Sequence, residues 1–371
     1  TLDISRHSNE GFSSGPGSVM LTVDSRIQFI VEKRLDEGIA EHGAKWGSVV
    51  CMAPETGAIV AMASWPSFDP NVRGNLTNVK KIGNNSTGRT YEPGSTFKPI
   101  VLGIALEKGS VRRSESFNCP YRIKVADGHI SEASNRSYGR LSVSEILIKS
   151  SNTGMAQIGM RVKPFDMYQG VREWGFSKPL EVELNGVEDG LLATPEQWRG
   201  VVPSNISIGQ GLAVTPLHLT NAMAAIANGG FLLRPYIVSE VNDSTGRIIY
   251  KGERRLVREV LSANTAAWIS SIMKESVKNG TGKLARLPYV SIAGKTGTAQ
   301  VAEKGEYKKG KWVSSFAGFW PAEKPEYVML VVIGEPSKGK YYGGDVAAPV
   351  FRRIVEDMFQ TGLFACSGWG G

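Results

Sequence analysis

The chain has 371 residues, 41% hydrophobic and 21% charged, which is enough to bury a sizeable core and too ordinary a balance for wholesale disorder. Its formal net charge of +8 is concentrated in stretches such as Lys304–Lys311 and Gly252–Arg258, without a basic stripe interleaved with stacking aromatics; this favours solvated surface or an anionic envelope over nucleic acid. Three cysteines (Cys51, Cys119, Cys366) and four histidines (His7, His42, His129, His218) lack ligand spacing, and no run of about 18 apolar residues could span a membrane, so zinc sites, disulfide frameworks, histidine-based mechanisms and membrane spans start without support.

Gly11–Ser18 has linker composition, and no leader-like pattern opens at Thr1. Residues 1–18 are therefore expected to be a flexible N-terminal remnant or joining linker on a soluble portion of a longer protein. Legible structure begins near Met20. Asp24 and Ser25 offer a cap, and Ile27, Ile30, Val31, Leu35 and Ile39 recur at helical spacing up to Gly43. Gly47–Ala53 and Ala58–Ser64 flank a Pro-Glu-Thr-Gly turn and predict a hairpin with both strands largely buried. Helical patterns follow at Thr96–Lys108, Leu141–Met160, Pro164–Trp174, Pro216–Asn228 and Thr265–Val277. Strand patterns return at Ser291–Gln300, Ser314–Trp320 and Tyr327–Ile333, then a closing helix at Ala347–Phe359 and a frayed tail at 361–371.

This order predicts an α/β unit over 19–360. Strands from about 20–70 and 288–360 build one sheet, helices flank it, and a helical part occupies about 90–280.

With no histidine in a catalytic context, a Ser–Lys pair is the natural route to acyl transfer, which needs a nucleophile, a base and an oxyanion hole. A lysine three residues after a serine lies one helical turn on, on the same face. Tyr91–Pro99 places Ser95 at a helix start with Lys98 one turn below, and Gly94 permits a tight approach. The S-x-x-K pattern alone is weak, since Ser271/Lys274 and Ser337/Lys340 also match and about one match is expected by chance. S-x-N is weaker still: Ser150/Asn152 qualifies, as do Ser116/Asn118 and Ser262/Asn264. Lys295-Thr296-Gly297 occurs once, in a strand-like run followed by Thr298, where Gly297 would let a ligand approach the backbone closely. The ordered triple is the strong signal.

That triple is the pattern of the penicillin-binding proteins and class A β-lactamases. The chain resembles the class B penicillin-binding proteins, in particular division-type peptidoglycan D,D-transpeptidases, from about Met20 to Phe359. The resemblance rests on Glu92–Pro99 (EPGSTFKP), Lys149–Gly154 (KSSNTG), Gly209–Pro216, Ala293–Gln300 (AGKTGTAQ), Phe316–Pro321 and Gly334–Phe351. Ser151 stands where the motif has Asp.

The resemblance implies a β-lactamase/penicillin-binding-protein transpeptidase fold, a central antiparallel sheet flanked by helices with an inserted all-helical subdomain. It implies Ser95 as nucleophile toward a D-Ala–D-Ala carbonyl and Lys98 as its base. Lys98 must be neutral part of the time, through burial or a nearby cation such as Lys295. Ser150 would relay the proton and Asn152 would hold the substrate amide. Lys295, Thr296 and Thr298 would bind the terminal carboxylate on a strand containing Gly297, with Tyr341 and Tyr342 beside the site. The backbone N–H groups of Ser95 and Thr298 would form the oxyanion hole. No cofactor or metal is implied. The implied partners are peptidoglycan stem peptides, β-lactam antibiotics, a membrane glycosyltransferase and division-complex proteins, at the outer face of the cytoplasmic membrane.

Three rival readings compete. One is a serine β-lactamase, or a D,D-carboxypeptidase if water resolves the acyl-enzyme; Glu181–Asn185 is similar to the segment carrying the deacylating glutamate in class A lactamases. Another is a non-catalytic β-lactam sensor. A Ser-His-Asp hydrolase is the last, and no G-x-S-x-G frames Ser95 to support it.

Overall fold

The computed structural model describes residues 17–69, 71–72, 83–303 and 306–364. The calls on residues 1–16 and 365–371, including His7 and Cys366, lie outside the described residues.

Strand β1 (Ser18–Leu21) leads into helix α1 (Ser25–His42). Asp24 accepts the Arg26 and Ile27 N–H groups at the helix start, and Gly43 ends it at φ 57°, a left-handed turn that glycine adopts without a steric penalty. The hairpin follows as β2 (Trp46–Met52) and β3 (Ile59–Trp65). β2, an inner strand, is buried throughout, whereas β3, at the sheet edge, buries alternate residues only. Helix α2 (Asn85–Gly88) and a 3-10 turn (Gly94–Phe97) precede α3 (Lys98–Glu107). Two ribbons follow, from β4 (Ser116–Cys119), β5 (Arg122–Val125), β6 (Gly128–Ser131) and β7 (Gly139–Ser142). Helices α4 (Val143–Lys149), α5 (Asn152–Met160) and α6 (Pro164–Glu173) come next.

Beyond them are β8 (Leu191–Leu192), α7 (Val202–Ser207), β9 (Leu212–Ala213) and the buried helix α8 (Pro216–Ala227). Strands β10 (Phe231–Leu233), β11 (Val238–Asn242), β12 (Ile248–Lys251) and β13 (Leu256–Glu259) precede α9 (Ala263–Lys278). The chain closes with β14 (Ala293–Glu303), β15 (Glu306–Trp320), β16 (Tyr327–Gly334) and α10 (Gly343–Gln360).

The central sheet runs β14-β15-β16-β2-β3, antiparallel throughout, so the two ends of the chain build one sheet around a helical middle. Its inner strands are apolar on both faces. Val328, Leu330 and Val332 point into the core shared with the helical middle, and Met329, Val331 and Ile333 into the core beneath α1 and α10. Residues 47–53 and 327–333 therefore read as continuous apolar runs rather than alternating ones.

Four expectations are corrected. Leu141–Met160 is not one helix: Leu141 and Ser142 belong to β7, and the helix breaks at Ser150. The inserted part is helical in framework but carries two-stranded ribbons, so it is not all-helical. The basic stretch Lys304–Lys311, expected to be a loop because it is polar and lies between the strand patterns at 291–300 and 314–320, is strand over 306–311, since β15 begins at Glu306 and pairs back on β14. Ser18 pairs with Asn242, and Phe364 is buried against Trp320 and Phe359; neither position is linker or frayed tail.

Candidate active site

Three segments meet where the helical middle abuts the sheet edge. The 3-10 turn carries Ser95 and runs straight into α3, with Pro99 in the first helical turn where its missing N–H costs nothing. This turn lies against β14, the edge strand. It also packs backbone-close on the segment before β9: the Gly94 N–H donates to the Gly209 carbonyl at 2.9 Å, and a Cβ on Gly209 would sit 2.0 Å from the Gly94 oxygen. A Cβ on Gly297 would meet Ser315 Oγ at 2.3 Å, Thr96 Cγ2 at 2.8 Å and the Pro93 oxygen at 2.9 Å. Gly297 thus seats the strand on the Ser95 turn, rather than opening the backbone to a ligand as the sequence reading held.

The second segment is the break between α4 and α5. Ser150 caps α4 in the left-handed region at φ 58°, and its N–H reaches the Ile146 and Leu147 carbonyls. A non-glycine residue here costs on the order of 1 kcal/mol, and such strain persists only where its surroundings enforce it. The enforcing contacts are visible. Ser151 caps α5, and the carboxylate of Glu132 (5% exposed) accepts from Ser151 Oγ (2.5 Å), Asn152 N (2.9 Å), Thr153 N (3.0 Å) and Thr153 Oγ1 (2.7 Å). Asn152 Nδ2 donates to the Ser131 carbonyl at 3.0 Å.

Two wholly buried lysines converge on this break. Lys98 Nζ donates to the Ser150 carbonyl (2.6 Å) and Asn152 Oδ1 (2.7 Å), and faces Ser150 Oγ at 3.3 Å. Lys295 Nζ, from β14, donates to the same Oγ at 2.8 Å and to the Thr296 carbonyl at 3.1 Å. Burial pulls Lys98 down to about 7 against the upward pull of Glu132. Burial and then the Lys98 charge hold Lys295 well below the ordinary lysine value. Burial is therefore the main cause at Lys98, and the mutual repulsion weighs on Lys295.

Ser95, Ser150, Asn152, Thr296, Thr298 and Tyr342 line one cleft of about 570 Å³. Lys98 and Lys295 sit beneath its floor. Among the described residues nothing hydrogen-bonds Ser95 Oγ; the Lys98 amine one turn on is engaged by Ser150 and Asn152 instead. The Thr298 hydroxyl accepts the Gly343 N–H (2.9 Å) and the Thr296 hydroxyl meets Thr281 Oγ1 (2.7 Å), which ties β14 to the start of α10 and to the segment after α9. Tyr342 is 41% exposed on the cleft rim, while Tyr341 stands behind it, stacked on Trp312 at 4.8 Å.

Several lining residues had no sequence signal: Glu132 lies in a loop with no motif, and Tyr138 and Thr281 enter the cleft only through the tertiary fold, while Lys149 and Asp345 lie in the quoted motif segments without having been singled out. The rival patterns fall elsewhere. Glu183 is buried and holds Arg234, Tyr250 Oη (2.7 Å) and the Ile237 N–H (2.9 Å), outside the residues that line the cleft. Ser271 Oγ donates to the Trp268 carbonyl and Ser337 Oγ to the Gly43 carbonyl, each closing its own local structure.

Residues 47–356 match the penicillin binding protein transpeptidase domain family. The chain is 34% identical over 359 residues to the peptidoglycan D,D-transpeptidase FtsI of Escherichia coli K12, covering 94% of this chain and 57% of that protein. It is 33% identical to the peptidoglycan D,D-transpeptidase FtsI homolog of Mesostigma viride, covering 92% and 61% respectively. The chain thus spans little more than half the length of these curated relatives. Among solved structures, it superposes on penicillin binding protein 3 of Mycobacterium tuberculosis, complexed with ampicillin, with a TM-score of 0.88 at 29% identity, over 98% of this chain and 82% of that one.

Proposed function

The chain belongs to the penicillin-binding protein transpeptidase family, and from that premise we propose that it is a serine peptidoglycan D,D-transpeptidase of the class B, division type, acting at the outer face of the cytoplasmic membrane. The observation that carries the reading is the single hydroxyl of Ser150 held between two buried lysine amines, in the cleft that also holds Ser95.

The chemistry follows from donor and acceptor counts. A lysine brought down to about 7 is neutral about half the time at neutral pH. Neutral Lys98 keeps two N–H donors for the Ser150 carbonyl and Asn152 Oδ1, its two short contacts, and has a lone pair left to accept the Ser95 proton. Ser95 Oγ then forms a bond to the carbonyl carbon of the D-Ala–D-Ala peptide. The oxyanion is placed at the Ser95 and Thr298 N–H groups, at a helix start where the macrodipole favours negative charge. Ser150 Oγ accepts from Lys295, so its own hydrogen is free to pass to the leaving amine, with a proton returning from Lys98. The C–N bond breaks, D-Ala leaves, and an ester to Ser95 remains. An acceptor amine attacks that ester, gives up a proton and restores the Ser95 hydroxyl. A peptide bond is exchanged for a peptide bond with no net redox change.

Lys295, Thr296 and Thr298 lie along the edge strand β14 and suit the terminal carboxylate and backbone of an extended donor peptide. Asn152, held by Ser131 and Lys98, suits the substrate amide. The relative solved with ampicillin supports the expectation that β-lactams acylate Ser95. A membrane glycosyltransferase and division proteins are the partners proposed for the longer protein.

The test is intact mass after penicillin exposure, with peptide mapping. One adduct on the Ser95 peptide, long-lived, and lost in Ser95→Ala, is the expected result. Labelling that survives Ser95→Ala removes the nucleophile, and rapid catalytic turnover of the drug makes the protein a lactamase. Release of D-Ala from a D-Ala–D-Ala peptide or thioester analogue excludes a sensor, and transfer to an added amine over water separates transpeptidase from carboxypeptidase.

A further inference from the structure

Glu132 is a carboxylate on a loop, 5% exposed, lining the cleft beside Ser150 and Asn152. All four of its contacts are donated to it, three on Oε1 and one on Oε2, the pattern of a carboxylate that gives nothing in return. Those donors are the side chain of Ser151, the backbone and side chain of Thr153, and the backbone of Asn152. They are the residues that follow the left-handed Ser150 and open α5. The Asn152 side chain in turn holds Lys98 Nζ at 2.7 Å. One carboxylate therefore pins the whole break on which the Ser150 hydroxyl and the Asn152 amide depend.

Burying a carboxylate is costly unless it is fully bonded and useful to its neighbours. A helix N-terminus needs only a neutral cap, and Ser151 already supplies one through the Gly154 N–H at 3.0 Å. The charge is thus surplus to capping. Its charge acts on the Lys98 amine, which the Asn152 side chain holds. Around that amine, the charged groups acting from packed elements are Glu132, on the loop after β6, and Lys295, on β14; the Cys119 thiol beside Glu132 is kept neutral by burial.

We propose that Glu132 is a positioning residue of the proton relay: its carboxylate fixes the Ser150–Thr153 break, and through Asn152 it holds the Lys98 amine in place to accept the Ser95 proton. Nothing in the three motifs assigns this role, and it rests on the acyl-transfer reading above. The charge opposes the burial that drives Lys98 down to about 7, so its removal lets Lys98 fall further.

The sign gives a readout that a merely structural residue would not move. In Glu132→Gln the acid limb of penicillin acylation shifts to lower pH by about one unit, the small end of what a neighbouring opposite charge does. Acylation at pH 6, relative to each variant's own plateau, then rises about fivefold over wild type. The plateau rate falls, because the amide donates where only acceptors fit. Glu132→Asp keeps the charge and keeps the limb where wild type has it, even if its plateau falls too.

The experiment is stopped-flow acylation by a fluorescent penicillin from about pH 5 to about pH 9, with wild type, Glu132→Gln and Glu132→Asp, and circular dichroism to confirm folding at each pH. A Gln limb displaced to lower pH with an Asp limb in place supports the proposal. Superimposable limbs in all three, or a Gln limb displaced to higher pH, overturn it. If Glu132→Gln does not fold, a displaced limb in Glu132→Asp overturns it and an unmoved one supports it. Wild type that does not acylate at any pH sinks the acyl-transfer reading instead, so the two failures are distinguishable.

Discussion

Replacing Gly297 with alanine tests whether this glycine serves the ligand or the fold. A β-carbon built there lies 2.3 Å from Ser315 Oγ, 2.8 Å from Thr96 Cγ2 and 2.9 Å from the Pro93 carbonyl oxygen. Ordinary contacts between such atoms sit at roughly 3.5–4.0 Å. Ser315 can be moved or removed, but Pro93 O and Thr96 belong to the turn that carries Ser95, so β14 and the turn must part by about 0.5–1 Å, the extent of that shortfall. Overpacking of this size costs about 1–3 kcal/mol of stability, which a chain with two apolar cores survives. Catalytic groups displaced by about 1 Å lose on the order of 100-fold in rate. The expected outcome is therefore an acylation rate constant down about 100-fold in a protein that still unfolds cooperatively, a few degrees lower. The double variant Gly297→Ala/Ser315→Ala removes the nearest clash and leaves the two contacts to the turn. It should stay slow. Acylation within about threefold of wild type in the single variant, or full recovery in the double, would refute the placement of Gly297 against the nucleophile turn, since a 1 Å shift is worth far more.

The buried amine makes a separate prediction about stability. Lys98 titrates near 7 in the fold and near 10.5 when unfolded, so between those values the unfolded chain binds a proton that the fold does not. Its contribution is fully present above about 10.5 and lost as pH falls to about 7, and wild type should gain about 3 kcal/mol more than Lys98→Met between pH 7 and pH 9.5. Urea unfolding at the two pH values measures it, and parallel pH dependence in both proteins counts against a depressed Lys98. The same variant should acylate at least about 100-fold more slowly, the low end for loss of a general base; near-normal labelling removes Lys98 from the mechanism. Glu183→Gln should destabilise by about 3 kcal/mol by leaving Arg234 facing a neutral partner in a buried pair. Its folded fraction should label at the wild-type rate, and selective loss of drug turnover there would revive the lactamase reading.

Much of the architecture was legible because it is local. Asp24 and Gly43 bracket α1 by capping chemistry, and the apolar runs at 47–53 and 327–333 bound β2 and β16 to within a residue or two. The failures are equally physical. Periodicity ran through Leu141–Met160 because the α4 and α5 segments are both apolar at helical spacing, and nothing in Lys149-Ser150-Ser151 looks like a stop signal. The stop is tertiary, a left-handed serine pinned by Glu132. The basic stretch at 306–311 carries no strand signal in sequence because half of an exposed hairpin arm needs no apolar side chains. Gly297 was assigned to the ligand because sequence shows that a glycine permits approach, not what approaches.

The same contrast explains why the ordered triple converges on one cleft where a lone motif match says nothing of position. Ser150 Oγ and Lys295 Nζ lie 145 residues apart in the chain and 2.8 Å apart in space. No periodicity spans that separation. Ser116-x-Asn118 and Ser262-x-Asn264 match the same three-letter pattern, yet Ser116 accepts a surface arginine and Ser262 caps α9. What sets Ser150 apart is that both lone pairs of its hydroxyl face lysines while its backbone is held left-handed, and each condition depends on a different distant segment: β14 for one amine, α3 for the other, and the Glu132 loop for the strain. A hydroxyl so held has one remaining direction in which to donate, and that direction is the cleft. The proposed proton path would thereby be a property of the assembly, and a substitution in any one of the three segments is expected to change the acylation rate at Ser95.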